Sequence, residues 1–322
     1  MKKLLYMIAV ASVLFGFTSC NKDKKIDVEY AVNIEINPYN VINNFTPVLE
    51  DDFDMMPGDV LRLRLFIYDK NGSLVDRFES QVADYTKQAH YSGKLPDGEY
   101  TCIAMSDVYT PSSGFAYWET NLEDNISTIQ INETGYIGSC DKLLGLKMQN
   151  VVVKGGSVNT SINLESLTAL CVVRFAYIHK YDNLGTELRW SMDEMPDRVL
   201  VDGTGFKCIC PYSGYWYTLK KIITTDYSAD FVKGYAALLP GNNLTSYPLI
   251  KIDSDFYTLA DPMDYSFNPG QQYAVNIDVQ AGTMTIDQTS KCIDNSSYQN
   301  IKSNKVLDIV SGNAKLIESS LE

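Results

Sequence analysis

Residues 60–78 read VLRLRLFIYDKNGSLVDRF, and this stretch predicts the fold more directly than any other. From Val60 to Tyr68, apolar residues alternate with partly polar ones. This period of two is typical of a β-strand with one buried face. Asn71-Gly72 then supplies the positive φ angles that a tight turn between antiparallel strands requires. We therefore expect a β-hairpin in which Leu74–Phe78 returns against the first strand.

Strand patterns recur on both sides of this hairpin. Val28–Ile36 alternates before it, and Tyr100–Met105 follows a turn marked by Pro96 and Gly98. Helical periodicity is scarce, and turn signals return roughly every ten residues, as in β-sandwiches. The sequence therefore predicts an all-β fold.

A second set of strands is expected after the break VVVKGG at residues 151–156. Leu167–Ile178 is almost continuously apolar, which favours a central strand, and Ala274–Val279 with Met284–Asp287 forms a candidate last pair. We predict two tandem β-sandwiches. The expected organisation is a signal peptide at 1–19, a charged tether at 20–27, an N-terminal sandwich at 28–154, a C-terminal sandwich at 155–287 and a tail at 288–322.

The N-terminus has the pattern of a lipoprotein signal. Lys2 and Lys3 precede an apolar stretch, Leu4–Phe17, which is too short to span a bilayer, and small residues lead to Cys20. We expect Cys20 to begin the mature chain and to carry fatty acids such as palmitate, because two or more acyl chains anchor a protein stably. An ordinary secretory signal with a chance cysteine is the alternative.

The charge balance disfavours nucleic acid as a partner. The formal net charge is −13, and the basic residues are scattered singly among acids, whereas a phosphate backbone needs clustered Lys and Arg. No later apolar run approaches bilayer length, so the predicted contact with the membrane is through the N-terminal lipid only.

The other cysteines leave two interpretations open. Their even number in an exported chain permits disulfides, but most lie in apolar strand-like runs where a thiol packs as a small hydrophobe. They are Cys102, Cys140, Cys171, Cys208, Cys210 and Cys292.

No pattern in the sequence predicts an enzyme, a cofactor or a metal site. The two histidines, His90 and His179, lie near no Gly-x-Ser-x-Gly turn. A zinc site around Cys208 and Cys210 would need further ligands, and these two histidines are the only ones in the chain. The acidic cluster Glu50–Asp54 lacks the ligand spacing and the turn glycine of a calcium loop. No catalytic residues are expected.

The order of these features resembles the fimbrillin-A-associated anchor proteins of type V pili. The similarity is carried by the signal ending at Cys20, the hairpin Leu61–Phe78, the strand entry Leu95–Ala104 and the run Leu167–Phe175. The resemblance implies two transthyretin-like (Greek-key) sandwiches and a lipid-anchored, surface-exposed location on the outer membrane. It also implies an anchor or accessory role in a fimbrium (pilus) and in cell adhesion, with the pilin subunits of the fimbrial shaft as partners.

The tail supplies the candidate partner-binding residues. The resemblance implies that subunits join when a strand of one enters the sheet of the next. Val306, Leu307, Ile309 and Val310 are the candidate donor strand. The alternatives are a strand or short helix that packs on its own second domain, and a disordered tail.

Two aromatic groups support an alternative function, that of a surface glycan-binding lipoprotein. Exposed Tyr and Trp rings can stack on sugars. The candidates are Tyr215, Trp216 and Tyr217, together with the group Phe115–Trp118. Core packing is the alternative explanation of the same residues.

Overall fold

The computed structural model describes residues 28–43, 45, 55, 57–121, 125–133, 142–176, 188–192, 196, 198–201, 205–209, 217–218, 231–252, 255–259, 262–278, 283–288 and 307–309. The predicted signal peptide and tether, with Cys20, lie outside these residues, as do Tyr215, Trp216, Val306 and Val310. Within the described part, helix is confined to α1 (Tyr39–Asn43) and a 3-10 turn at Ile126–Thr128. The chain is all-β, as predicted.

The first half of the chain contains these strands: β1 (Glu29–Asn37), β2 (Val60–Asp69), β3 (Leu74–Val82), β4 (Ala89–Pro96), β5 (Gly98–Thr110), β6 (Phe115–Ala116), β7 (Trp118–Thr120), β8 (Gln130–Glu133), β9 (Gly145–Val153), β10 (Val158–Asn163) and β11 (Glu165–Ser166).

The second half contains these strands: β12 (Ala169–Ala176), β13 (Leu188–Met192), β14 (Arg198–Val201), β15 (Phe206–Ile209), β16 (Tyr217–Thr218), β17 (Phe231–Leu238), β18 (Gly241–Ser246), β19 (Pro248–Ile252), β20 (Asp255–Leu259), β21 (Met263–Phe267), β22 (Gln272–Asp278), β23 (Thr283–Gln288) and β24 (Leu307–Ile309).

The predicted hairpin is confirmed as β2 and β3, but the positive φ angle of its turn lies at Gly72 and not at Asn71. The Asp69 carboxylate accepts hydrogen bonds from the backbone N–H groups of Asn71 and Ser73, at 2.8 and 3.0 Å. Gly72 has a φ of 79°, and a Cβ at this position would lie 2.7 Å from Cγ2 of Ile126. The turn therefore needs glycine both for its backbone conformation and for its close approach to the 3-10 turn.

Two sheets enclose the first core. Their strand orders are β10-β1-β4 and β11-β9-β5-β2-β3, with β6 pairing at the end of β5. Alternate residues of β2, namely Leu61, Leu63, Leu65 and Ile67, point into this core opposite Val32, Ile34 and Ile36 of β1. The other face of β2, with Phe66 and Tyr68, packs into a second apolar cluster. Burial on both faces explains why β2 becomes continuously apolar near its end.

β10 runs parallel to β1, with pairs from Val32 and Val158 to Asn37 and Asn163. The backbone N–H of Leu164 donates to the carbonyl oxygen of Asn37 at 2.9 Å. The Val158 strand, expected after the domain boundary, thus pairs within the N-terminal sheet. The boundary at residues 154 and 155 stays a prediction.

β12 is a central strand of the second half, as predicted from the Leu167–Ile178 run. It lies between antiparallel β17 and parallel β22, and β23 pairs with β22. A five-stranded sheet has the order β16-β13-β19-β20-β24, and β18 pairs with β21.

The two halves of the chain also share one sheet, of order β15-β14-β8-β7. Here β8, from the first half, pairs antiparallel with β14, from the second, and Ile131 stands opposite Val199. Both residues are buried in the second apolar cluster. The connection between the halves therefore includes backbone hydrogen bonds as well as packing.

The described cysteines are free thiols. Cys102 and Cys171 are buried and Cys208 is half-buried. Burial raises the pKa of Cys102 and of Cys208 to about 12 and that of Cys171 well above its ordinary value. Cys140, Cys210 and Cys292 lie outside the described residues. No helix in the described part is long and apolar enough to cross a membrane.

Candidate partner-binding site

The candidate donor residues Leu307 and Ile309 form β24, which occupies an outer position of the five-stranded sheet. β24 runs antiparallel to β20, with Leu307 opposite Leu259 and Ile309 opposite Tyr257. The backbone of Leu307–Ile309 therefore pairs with the second half of its own chain. A tail packed on its own second domain was one of the alternatives to strand donation.

The register of this sheet places a candidate glycan-binding residue, Tyr217, and a candidate donor-strand residue, Ile309, in one row that runs across the strands. Tyr217 stands opposite Trp190, Trp190 opposite Ile250, Ile250 opposite Tyr257, and Tyr257 opposite Ile309. Trp190 and Ile250 are buried in the second apolar cluster. The backbone register therefore places positions 217 and 309 in the row that contains Trp190 and Ile250.

β16 and β24 are the two outer strands of the sheet, at its opposite edges. Four strand spacings separate them, or about 19 Å at the usual distance between strands. Tyr217, the described member of the Tyr215–Tyr217 group, is therefore remote from the tail strand. The other aromatic group is packed: Trp118 is buried, and its Nε1–H donates to the carbonyl oxygen of Lys142 at 3.2 Å. Core packing is the correct interpretation of Trp118.

A buried ionic cluster was not predicted from the sequence. The Arg62 guanidinium binds both carboxylate oxygens of Asp107, Nε to Oδ1 at 3.1 Å and Nη2 to Oδ2 at 2.7 Å. Nη2 of Arg64 binds Oδ1 of the same carboxylate at 3.1 Å. Both guanidinium groups also donate to the carbonyl oxygen of Trp118, at 3.2 Å. The cluster therefore ties β2, β5 and β7 together.

The surroundings of the two arginines shift their pKa values in opposite directions. Desolvation lowers the pKa of Arg62, but the hydrogen bonds and the charge of Asp107 outweigh it, so that the pKa is raised. Desolvation lowers the pKa of the more deeply buried Arg64, and Asp107 offsets this only in part. Both groups remain charged at neutral pH because arginine starts from such a high pKa. The signal that could have revealed the cluster is the Arg-Leu-Arg alternation in a strand buried on both faces.

The remaining sequence candidates do not converge on a reactive centre. His90 is exposed on β4, with Nδ1 4.0 Å from Oε2 of Glu35, and His179 lies outside the described residues. Across the described ranges, no group of three His, Cys, Asp or Glu residues is placed to hold a metal ion.

No protein-family model matches the chain, and no curated protein matches it. The chain overlaps a structure of putative polysaccharide binding proteins from Bacteroides thetaiotaomicron with a TM-score of 0.49 and 11% identity, covering 83% of this chain and 99% of that one. It overlaps the fimbrial anchor protein Mfa2 from Porphyromonas gingivalis with a TM-score of 0.49 and 12% identity, covering 80% of this chain and 98% of that one. For the tip fimbrial protein Mfa3 from the same organism, solved with a C-terminal truncation, the TM-score is 0.47 and the identity 10%, over 81% of this chain and 99% of that one.

Proposed function

We propose that this chain is a lipoprotein of the bacterial outer membrane, exposed at the cell surface, that serves as an anchor or accessory subunit of a type V fimbria and contributes to cell adhesion. In this proposal Cys20 carries the lipid, and pilin subunits of the fimbrial shaft bind the C-terminal part. The sequence resemblance and the N-terminal signal support it. The protein binds other macromolecules and does not transform them.

The observation that carries the proposal is the direction of the first strand. β1 is parallel to β10, so Asn37 and Asn163 lie at the same end of the sheet, where Leu164 leads into the second half. Glu29 begins β1 eight residues earlier, about 27 Å away at the usual rise of a strand. The tether precedes Glu29 and therefore joins β1 at the end opposite to the start of the second half. A subunit that couples a membrane to a filament needs two separated attachment points of this kind.

In this proposal the pilin subunit binds where β24 now pairs with β20. A strand at the edge of a sheet is held by one neighbour, and an edge exposed by its departure is a template for another chain. In the part of the tail that the structure describes, three residues of β24 pair with β20, so releasing this strand would break few backbone hydrogen bonds there. Strand addition of this type supplies main-chain hydrogen bonds for affinity and alternate side chains for specificity.

Deleting residues 303–322 tests the role of the tail. We expect the deletion to abolish capture of pilin while leaving the melting temperature unchanged. If the shortened protein instead unfolds, the tail is a structural strand of its own domain.

Point variants test the role of the tail without deleting it. Leu307→Asp combined with Ile309→Asp should abolish pilin capture, because alternate positions of an added strand determine its fit. Asp308→Asn, at the intervening position, is the matched control and should retain capture. Equal capture by both variants would contradict strand donation by this segment.

A further inference from the structure

We infer that β3 is a self-association edge through which two copies of this chain pair antiparallel, with the twofold axis at Phe78. This interface goes beyond the proposed fimbrial role, and it does not involve the lipid or the tail. Among the described residues, β3 is the outermost strand of its sheet and pairs on one side only, with β2.

β3 lacks several of the features that protect an edge strand. Over nine residues it contains no proline, no lysine and no glycine. Edge strands that avoid association commonly carry lysine or proline, or are very short. One β-bulge is present, where Val75 falls between the pairs Ile67–Asp76 and Tyr68–Leu74. The bulge limits regular pairing with a second copy to Asp76–Ser80.

The edge is held in place before any partner binds. The Tyr91 hydroxyl, on β4, donates to the carboxylate of Asp76, and the rings of Phe78 and Tyr91 make an edge-to-face contact with centroids 6.0 Å apart. Desolvation, together with the hydrogen bond to Asp76 and the charge of that carboxylate, raises the pKa of Tyr91, so the hydroxyl keeps its proton. A template that is already ordered loses little conformational entropy on association.

The charges of β3 are complementary to themselves in one register. With Phe78 opposite Phe78 of the second copy, Arg77 stands opposite Glu79 of that copy, and Glu79 stands opposite its Arg77. Opposite charges in directly paired positions stabilise antiparallel strands. Arg77 and Glu79 are both exposed and lie on the same face of the strand, since their positions differ by two.

The two neighbouring symmetric registers are disfavoured. An axis at residue 77 would place Arg77 opposite Arg77, and an axis at residue 79 would place Glu79 opposite Glu79. Like charges in directly paired positions are destabilising. A twofold interface is also closed, because each copy uses the same strand and no free β3 edge remains for further growth. The occupant that fits β3 is therefore a second copy and not an open-ended fibre.

The register continues a series of alternating charges that already exists within one copy. Glu79 is paired with Arg64 of β2, and Arg64 binds Asp107 of β5. Arg77 of the second copy would extend the series Asp107, Arg64 and Glu79 with a further positive charge. Because Glu79 faces Arg64 in its own chain, reversing the charge of Glu79 would disturb the fold, and Arg77 is the better position to reverse.

Sedimentation of the full-length protein in excess mild detergent, over a series of concentrations, tests the proposal. We expect a reversible dimer. Arg77→Glu should weaken the dimer roughly tenfold or more, because two symmetry-related pairs change from attraction to repulsion. Lys154→Glu, an equal charge change at an exposed turn position, should leave the dissociation constant within about twofold, as expected for a surface change outside the interface.

Two results would overturn the inference. One is a wild-type protein that stays monomeric at its highest soluble concentration. The other is an equal effect of Arg77→Glu and Lys154→Glu, which would assign the association to net charge. The melting temperature of Arg77→Glu, measured beside that of the wild type, distinguishes loss of the dimer from loss of the fold.

A cysteine experiment tests the register separately. Copies with Arg77→Cys mixed with copies with Glu79→Cys should form a disulfide-linked dimer under mild oxidation. Copies with Arg77→Cys mixed with copies with Gln81→Cys should form much less of this crosslinked dimer. Residue 81 lies on the same face as residue 79 but two positions further along the strand, and so does not stand opposite residue 77. Equal crosslinking in the two mixtures would overturn the axis at Phe78.

Discussion

Arg62 and Asp107 form a two-point ion pair at a site where the carboxylate is fully buried and the guanidinium side chain is only 12% exposed. Arg64 shares the same carboxylate, so one negative charge serves two buried cations. The pairing joins β2 to β5 on the face that packs against the second apolar cluster, and the carbonyl oxygen of Trp118 adds β7 to the same group.

Replacing Asp107 with Ala should destabilise the protein strongly. The change leaves two buried guanidinium groups without their carboxylate, and removing one partner of a buried ion pair costs about 3–5 kcal/mol. The free energy of unfolding from urea titrations measures the effect. Glu119→Ala, at an exposed position of β7, is the control and should change the stability by less than about 0.5 kcal/mol. A loss below about 1 kcal/mol for Asp107→Ala would show that the cluster is not the link between these strands.

Gly72→Ala should destabilise the hairpin. The positive φ costs an alanine about 1–2 kcal/mol, and its Cβ would collide with Ile126. Thermal unfolding measures the loss. Gly156→Ala is the matched control, because position 156 has open space around an added Cβ and its φ is not in the positive region. Equal melting temperatures for the two variants would contradict the role given to Gly72.

The Asp69 carboxylate should stabilise the turn in a pH-dependent manner. Hydrogen bonds from the backbone N–H groups of Ser73 and Asn71 hold its pKa below the ordinary value. A lowered pKa in the folded state contributes stability above the ordinary pKa of an aspartate, and that contribution is lost as the pH falls through the folded value. The stability difference between wild type and Asp69→Asn should therefore be greatest near neutral pH and shrink in acid. A difference that is constant from neutral to acidic pH would contradict this assignment.

Cys102 and Cys171 should resist alkylation in the native protein. Both thiols are fully buried, and burial raises their pKa values, so the reactive thiolate is scarce at pH 8. Mass spectrometry after iodoacetamide treatment measures the modification, with urea-unfolded protein as the positive control. Rapid labelling of either cysteine in the folded protein would contradict its place in the core.

The hairpin could be predicted because the interactions that determine it are local. The alternation of β2, the Asn71-Gly72 turn and the return strand all lie within residues 60–82, so the sequence pattern and the turn chemistry indicate the same structure. The central position of β12 was predictable for a similar reason, since an almost continuous apolar run indicates a strand covered on both faces.

The long-range pairings could not be predicted. Asn33 of β1 pairs with Asn159 of β10, and Ile131 of β8 pairs with Val199 of β14, with no connecting turn to mark either register. The apolar alternation of Leu307 and Ile309 indicated a strand, but it contained no information about which sheet edge that strand joins. The burial of Arg64 likewise depends on the second cluster that covers its face of β2, which is assembled from both halves of the chain.

The most direct test of the fimbrial proposal is co-isolation of the full-length protein from gently solubilised outer membranes, with the bound proteins identified by mass spectrometry. Our account predicts that pilin subunits of a fimbrial shaft accompany the wild-type protein and that the yield falls sharply when residues 303–322 are deleted. Recovery of the intact, folded protein from the membrane with no pilin bound would contradict the proposed function.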